Sequence, residues 1–144
     1  MRRVAIRTLM HTILIVDDSP TIRRMVRTAI GTLPDATFSE AMSGLQAIET
    51  LAITTVHLVL LDLNMPDMHG LDVLRFIRSH DRYRDLPVMV LTTRGDITSR
   101  QAALQAGASA YMTKPFLPSA LASSVRELLA LTDQMSHSLP PREA

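Results

Sequence analysis

The stretch ILIVDDSPT, residues 13–21, contains the signals that decide the fold of this chain. Four large apolar residues in succession are typical of a strand that is buried on both faces of a parallel sheet. Asp17 and Asp18 follow directly, and Ser19 before Pro20 predicts a capped helix start. Adjacent carboxylates at the end of a buried strand cost free energy unless something offsets their charge. The stretch therefore predicts a strand, an acidic turn and a helix.

The same alternation of short apolar runs and helical patterns continues along the chain. Strands are predicted over 12–16, 36–41, 57–61, 87–91 and 108–113, and helices over 20–30, 43–51, 71–79, 97–106 and 119–131. Five strands that alternate with five helices predict an α/β fold with a parallel sheet covered on both faces. Ligands of such sheets bind outside the carboxyl ends of the strands.

The length of 144 residues predicts one domain, over 12–131. Residues 1–11 are interpreted as an N-terminal extension, and residues 132–144 as a flexible C-terminal tail. The absence of Cys excludes disulfides and Cys-based zinc sites, and a net charge of +1 gives no indication of a general nucleic-acid surface. The absence of Cys also fits a cytoplasmic protein. Since no apolar run reaches the roughly 18 residues of a membrane span, we expect no membrane insertion.

Polar side chains follow four of the predicted strands: Asp17 and Asp18, then Asp62, then Thr92, then Lys114. Three carboxylates at one edge of a sheet are explained most simply by a hard divalent cation such as Mg²⁺. An open position on the metal, a Lys and a Thr hydroxyl can together bind the oxygens of a phosphoryl group. Asp62 is then either a third metal ligand or a nucleophile that becomes an aspartyl phosphate. Each residue alone suits a cap, a turn or the surface, but their coincidence at one edge favours the functional interpretation.

Two other features have structural interpretations. Arg23, Arg24 and Arg27 share one face of the first helix, for which we expect a solvated face or, alternatively, a docking face for an acidic partner. His57 opens a strand without an obvious carboxylate partner, so a structural histidine is expected there.

Taken together, these residues resemble the receiver domain of bacterial two-component response regulators. The resemblance extends over roughly 12–131, and its motifs are the acidic pair, DLNMPDMHG at 62–70, Thr92 and KPF at 114–116. It implies a flavodoxin-like (βα)5 fold with strand order 2-1-3-4-5.

The resemblance also implies a role for each site residue. Asp62 is the expected phosphoacceptor and an expected metal ligand. Asp18 is expected to bind Mg²⁺ directly, Asp17 mostly through water, and Asn64 through its backbone carbonyl. Lys114 is expected to pair with a phosphoryl oxygen.

The expected switch residues are Thr92, which would hydrogen-bond the phosphoryl group, and Tyr111, which moves inward on activation. The expected output surface is the face formed by the fourth helix, the fifth strand and the fifth helix. Asn64 and Arg94 occupy positions that tune the lifetime of the acyl phosphate. Thr93 is larger than is usual in the family and is expected to narrow access to the site.

The favoured function is a single-domain signalling switch that a histidine kinase or phosphotransfer protein phosphorylates on Asp62. Such a protein is not an enzyme in the ordinary sense, although it catalyses its own phosphorylation and dephosphorylation. Chemotaxis signalling through a protein target is favoured, with no direct DNA binding and a monomeric state. A phosphorelay shuttle or a regulator of another signalling protein is the alternative.

Three other functions are less favoured. A phosphatase that forms an aspartyl phosphate needs a carboxylate two residues after the nucleophile, where Asn64 stands. A flavin-binding module needs a phosphate-binding loop after the first strand, where Asp17 and Asp18 would repel the phosphate. A degenerate receiver that is never phosphorylated is disfavoured because all the expected site residues are present.

Overall fold

The computed structural model of this chain describes residues 10–138 as five parallel strands with helices on both faces of the sheet. The elements are β1 (His11–Val16), α1 (Pro20–Ile30), β2 (Ala36–Ala41), α2 (Gly44–Ile53), β3 (Leu58–Leu61), α3 (Gly70–Ser79), β4 (Val88–Thr92), α4 (Ile97–Gln105), β5 (Ala110–Thr113) and α5 (Pro118–Ser138). The strand order is β2-β1-β3-β4-β5, and every neighbouring pair is parallel. The flavodoxin-like fold and its strand order are therefore confirmed.

Strand β1 shows how the sequence builds the core. Alternate side chains of a strand point to opposite faces of a sheet. Ile13 and Ile15 accordingly pack with residues of α1 and α5, whereas Leu14 and Val16 pack with residues of α2 and α3. All four side chains are almost fully buried, which fixes the register of the strand. The acidic turn that follows is therefore held at a defined place on the carboxyl edge.

The C-terminal prediction is wrong for part of its range. Helix α5 does not end near Leu131 but continues to Ser138, so residues 132–138 are helical instead of a flexible tail. The Thr132 hydroxyl donates a helical hydrogen bond to the Leu128 carbonyl at 3.0 Å, and Asp133 Oδ1 lies 3.0 Å from His11 Nε2. Asp133 therefore contacts β1, which the local pattern does not reveal. Residues 1–9 and 139–144, which contain most of the predicted extension and the rest of the predicted tail, lie outside the described residues, and His11 already belongs to β1.

The sequence left two expectations for the three arginines of α1, and the first, a fully solvated face, is wrong. Arg23 donates to Glu40 Oε1 at 3.1 Å and Arg27 donates to Glu40 Oε2 at 2.8 Å. Only 14% of the Arg23 side chain is exposed, against 52% for Arg27. The pairing partner lies on β2, where helical periodicity alone cannot predict it.

His57 has the structural role that the sequence indicates. Its ring Nδ1 accepts a hydrogen bond from the Thr12 backbone N–H at 2.9 Å, and the His57 backbone N–H donates to the Thr12 carbonyl at 2.8 Å. Burial, followed by the nearby charge of His11, lowers the pKa of His57. His57 thus fastens the start of β3 to β1 in its neutral form.

No helix within residues 10–138 is both long enough and apolar enough to cross a membrane.

Candidate phosphoacceptor and metal site

The register of β1 and β3 brings the acidic residues together. Val16 pairs with Leu61, and the Asp62 N–H donates to the Val16 carbonyl at 3.0 Å. Asp17 and Asp62 therefore leave adjacent strands at the same height on the carboxyl edge. One carboxylate oxygen from each of Asp17, Asp18 and Asp62 lies within 4.8 Å of the other two.

Asp17 is held by four hydrogen bonds and is 3% exposed. Its N–H donates to the Ala41 carbonyl at 3.1 Å, and its carbonyl accepts from Arg23 Nη1 at 2.7 Å. Its carboxylate accepts from the Ser19 N–H at 2.9 Å and from Lys114 Nζ at 2.6 Å. Asp18 differs because its side chain is exposed at the surface of the cluster. The two adjacent residues thus have distinct environments, one buried and bonded and the other open to solvent.

Asp62 is 6% exposed at the centre of the site. Burial raises the pKa of its carboxyl, the Lys114 ammonium opposes that rise, and the negative charge of Asp17 adds to it. The backbone N–H of Asn64 also favours the ionised form. A buried carboxylate next to another one favours a cation between them.

Lys114 provides part of that compensation. Its Nζ lies 2.6 Å from Asp17 Oδ2 and 3.5 Å from Asp62 Oδ1, and its side chain is 8% exposed. Its backbone N–H donates to the Thr92 carbonyl at 2.8 Å, which places it beside the end of β4. One ammonium faces three carboxylates, so the cluster keeps a net negative charge.

Thr92 and Tyr111 lie on the neighbouring strands β4 and β5. Thr92 is fully buried, and its Oγ1 accepts a hydrogen bond from the Arg94 N–H at 3.4 Å. Tyr111 is half-buried against Leu63 and Ala103, and its hydroxyl donates to the Arg94 carbonyl. The loop between β4 and α4 is therefore bonded to both residues.

Close packing holds the loop that follows Asp62, a feature that the sequence analysis missed. The Gly70 N–H donates to the Leu63 carbonyl at 2.8 Å, and a side chain at Gly70 would clash with the Asp62 carbonyl. Asp67 accepts from the N–H groups of Gly44 at 3.2 Å and Leu45 at 3.1 Å at the start of α2. Asp67 and Gly70 within DLNMPDMHG were the available signals, but their partners at the start of α2 and directly after β3 are not visible in the sequence.

The side chains of Asn64, Thr93 and Arg94 are exposed beside the site. Asn64 and Arg94 line a groove of about 250 Å³ between the loop after β3 and helix α4. His69 and Ser99 contribute to the same groove. Both residues that were expected to tune the phosphoryl lifetime therefore share one solvent-accessible space.

The donor set suits Mg²⁺. Within residues 10–138, the triad Asp17, Asp18 and Asp62 is the only group of three or more acidic or His side chains with metal-binding spacing. All of its donors are carboxylate oxygens, which hard divalent cations prefer. The buried pair also carries a negative charge that a single ammonium only partly offsets. The residues present thus fit a magnesium ion, and the strand ends bring every predicted side-chain ligand together.

Comparison with known proteins decides the family, because the model of the response regulator receiver domain matches residues 13–126. The chain belongs to this family. Chemotaxis protein CheY1 of Helicobacter pylori is 35% identical to this receiver domain over 122 residues, which cover 84% of this chain and 98% of that protein. The CheY homologue of Campylobacter jejuni is 34% identical over 118 residues, covering 81% of this chain and 91% of that protein.

A solved structure shows the same similarity. A putative response regulator from Chloroflexus aurantiacus superposes on this receiver domain with a TM-score of 0.80 at 31% identity. The match covers 84% of this chain and 98% of that chain. The predicted family is thereby confirmed at the levels of sequence and fold.

Proposed function

We propose that this receiver domain is a Mg²⁺-dependent phosphoacceptor whose Asp62 receives a phosphoryl group from a histidine kinase or a phosphotransfer protein. The observation that supports it most strongly is the cluster of Asp17, Asp18 and Asp62 with Lys114 at 2.6 and 3.5 Å from two of the carboxylates. The proposal gives each of these side chains a part in one reaction, whereas caps and turns explain them only one by one.

In the proposed reaction an Asp62 carboxylate oxygen attacks the phosphorus of a phosphohistidine. A P–O bond forms, the P–N bond breaks, and the leaving imidazole takes its proton from solvent. Bound Mg²⁺ supplies positive charge to the phosphoryl oxygens. Lys114 is already close to Asp62 and is the side chain available to pair with one phosphoryl oxygen. Asp18 and Asp62 would hold the metal directly and Asp17 mostly through water, together with the backbone carbonyl of Asn64.

The proposed switch consists of Thr92 and Tyr111. The Thr92 hydroxyl would exchange its weak bond to the Arg94 N–H for a bond to the phosphoryl group. That exchange would move the loop to which the Tyr111 hydroxyl is bonded. The output surface is the face of α4, β5 and α5, and the exposure of Ile97 and Leu104 on α4 supports a protein target there.

Chemotaxis signalling in the cytoplasm is the pathway we favour, because the similar proteins of two bacteria are named as chemotaxis proteins. A phosphorelay shuttle uses the same acceptor chemistry and is the second candidate. Partners captured with and without beryllofluoride, which imitates the phosphoryl group on Asp62, separate the two. A flagellar motor protein supports chemotaxis, and a phosphotransfer protein supports the relay.

The phosphoacceptor proposal is tested by the intact mass of the protein after incubation with Mg²⁺ and a small acyl-phosphate donor. We expect the mass of one phosphoryl group in the wild type and none in Asp62→Asn. A matched reaction with excess chelator should show none either. No gain in the wild type, or an equal gain in Asp62→Asn, would contradict the proposal.

A further inference from the structure

Arg23 lies in the first turns of α1, next to the acidic turn but outside the cluster of carboxylates. Its Nη1 donates to the Asp17 carbonyl at 2.7 Å, and its Nε donates to Glu40 Oε1 at 3.1 Å. Only 14% of its side chain is exposed. One guanidinium therefore joins the backbone of the acidic turn to the end of β2.

The Asp17 carbonyl is a sensitive place for such a bond. It belongs to the peptide unit that links Asp17 to Asp18, and a peptide unit is planar. The direction of the carbonyl therefore fixes the opposite direction of the Asp18 N–H and limits where the Asp18 side chain can point. The Asp17 carboxylate is already fixed by the Ser19 N–H and Lys114. The Arg23 bond therefore limits the orientation of Asp18, whose side chain is exposed.

Glu40 makes this arrangement compatible with a cation. A guanidinium next to a metal site repels the metal unless its own charge is balanced. The Glu40 carboxylate provides that balance to Arg23, and Arg27 Nη1 donates to the other carboxylate oxygen at 2.8 Å. Arg23 and Arg27 each bond one oxygen of the Glu40 carboxylate. Arg23 can therefore orient the Asp17 carbonyl with little repulsion of a bound cation.

We infer that Arg23 and Glu40 are positioning residues for divalent-cation binding at Asp17, Asp18 and Asp62. The inference rests on the proposed function, because it assumes that Mg²⁺ binds there. It goes beyond that function because neither side chain belongs to the cluster of carboxylates or to Lys114. Arg23 acts through the peptide unit before Asp18, and Glu40 acts through Arg23.

The test is the Mg²⁺ affinity of the full chain, measured by titration calorimetry at constant ionic strength without any phosphodonor. We expect Arg23→Ala to bind Mg²⁺ about tenfold more weakly, the loss usual for partners that orient metal ligands. Glu40→Gln should also bind more weakly, because it leaves the Arg23 charge uncompensated. Arg27→Ala is the matched control: it removes the other arginine bonded to Glu40, but not the bond to Asp17, and should bind as tightly as the wild type or slightly more so.

Two further measurements separate positioning from general destabilisation. Arg23→Lys keeps the charge but lacks the planar fork that bonds the carbonyl and the carboxylate together, so it should also bind more weakly. Raising the salt concentration should recover part of the loss in Glu40→Gln but little of the loss in Arg23→Ala, since only the former is mainly a charge effect. Thermal unfolding confirms that each variant is folded at the titration temperature.

The possible outcomes are distinct. Wild-type affinity in Arg23→Ala, Arg23→Lys and Glu40→Gln would overturn the inference while leaving the proposed function intact. An equal loss in Arg27→Ala would overturn it too, because disturbing the contacts around Glu40 would then weaken Mg²⁺ binding without any change at the Asp17 carbonyl. A wild-type chain that binds no Mg²⁺ would overturn the proposed function, and this inference with it.

Discussion

Lys114 and Asp17 form a buried ion pair across the carboxyl edge of the sheet, with 2.6 Å between Nζ and Oδ2. The same ammonium lies 3.5 Å from Asp62 Oδ1. It therefore occupies, in part, the electrostatic position of the cation that the three carboxylates favour. Lys114 is expected both to assist a phosphoryl group on Asp62 and to weaken the binding of a metal ion.

The first prediction concerns that double effect. Lys114→Met should bind Mg²⁺ more tightly, by about fivefold or more, because a unit charge near the carboxylates is removed. It should nonetheless be phosphorylated more slowly, since no ammonium pairs with the phosphoryl oxygens. Titration calorimetry measures the affinity, and intact mass against time measures the rate. Lys114→Arg, which keeps the charge, is the control and should not gain affinity. Tighter binding together with an unchanged rate would show that Lys114 does not act on the phosphoryl group.

The second prediction concerns the groove beside the site. Arg94→Ala should shorten the lifetime of the acyl phosphate by about threefold, equivalent to about 0.7 kcal/mol of barrier, because water gains access to Asp62. Asn64→Ala should change the lifetime as well, since both side chains line the groove. Loss of the phosphoryl mass over time gives the rates, and Mg²⁺ affinity should stay nearly constant because only the Asn64 backbone is an expected ligand. Unchanged lifetimes across several substitutions at both positions would defeat this account.

The third prediction concerns stability and pH. His57 accepts a hydrogen bond at Nδ1, and burial lowers its pKa below the ordinary value of 6.5. The folded state therefore binds fewer protons than the unfolded state in the interval between the two pKa values. The contribution of His57 to the free energy of unfolding should be complete above about pH 6.5. It should be lost as the pH drops from there through the lowered pKa of the folded state, by up to about 1.4 kcal/mol per pH unit. Urea unfolding at several pH values measures it.

His57→Gln is the control for that measurement because it cannot be protonated. It should be less stable near neutral pH, and its stability should fall less steeply below about pH 6.5 than that of the wild type. Parallel curves for the two proteins would show that His57 does not contribute to the acid sensitivity.

The fourth prediction concerns Arg78, which bonds the ends of several elements. Its guanidinium donates to the carbonyls of Gly107 at 2.8 Å and Leu86 at 2.6 Å, and to Ser109 Oγ at 3.3 Å. Arg78→Ala should lower the free energy of unfolding by about 2 kcal/mol, because it leaves half-buried carbonyls without their partner. Arg75→Ala is the matched control on the same helix, where an exposed pair with Asp72 should contribute less than about 0.5 kcal/mol. Equal effects in the two variants would contradict the assigned role.

The sequence predicted which side chains lie together at the carboxyl edge, because their proximity follows from topology. Parallel strands end at one edge of the sheet, so residues that follow apolar runs are brought together without any knowledge of side-chain contacts. The strand order itself came from the family resemblance, since local patterns do not determine which strands are neighbours.

Contacts between segments that are distant in the chain could not be predicted from local sequence patterns. Helix α5 continues to Ser138, and its Asp133 contacts His11, from which it is separated in sequence by nearly the whole domain. The pairing of Arg23 with Glu40 likewise joins a helix to a neighbouring strand. In both cases helical periodicity predicts the helix face on which a residue lies. Its partner depends on which strand that helix packs against, which periodicity does not predict.

The most direct test of the central claim is the location of the phosphoryl group. After phosphorylation, borohydride reduction converts an aspartyl phosphate to homoserine, which peptide mass spectrometry can assign to one residue. We predict homoserine at position 62 and unmodified Asp17 and Asp18, with no conversion when Mg²⁺ is chelated. Conversion at Asp17 or Asp18 instead, or at none of the three, would contradict the assignment of Asp62 as the phosphoacceptor.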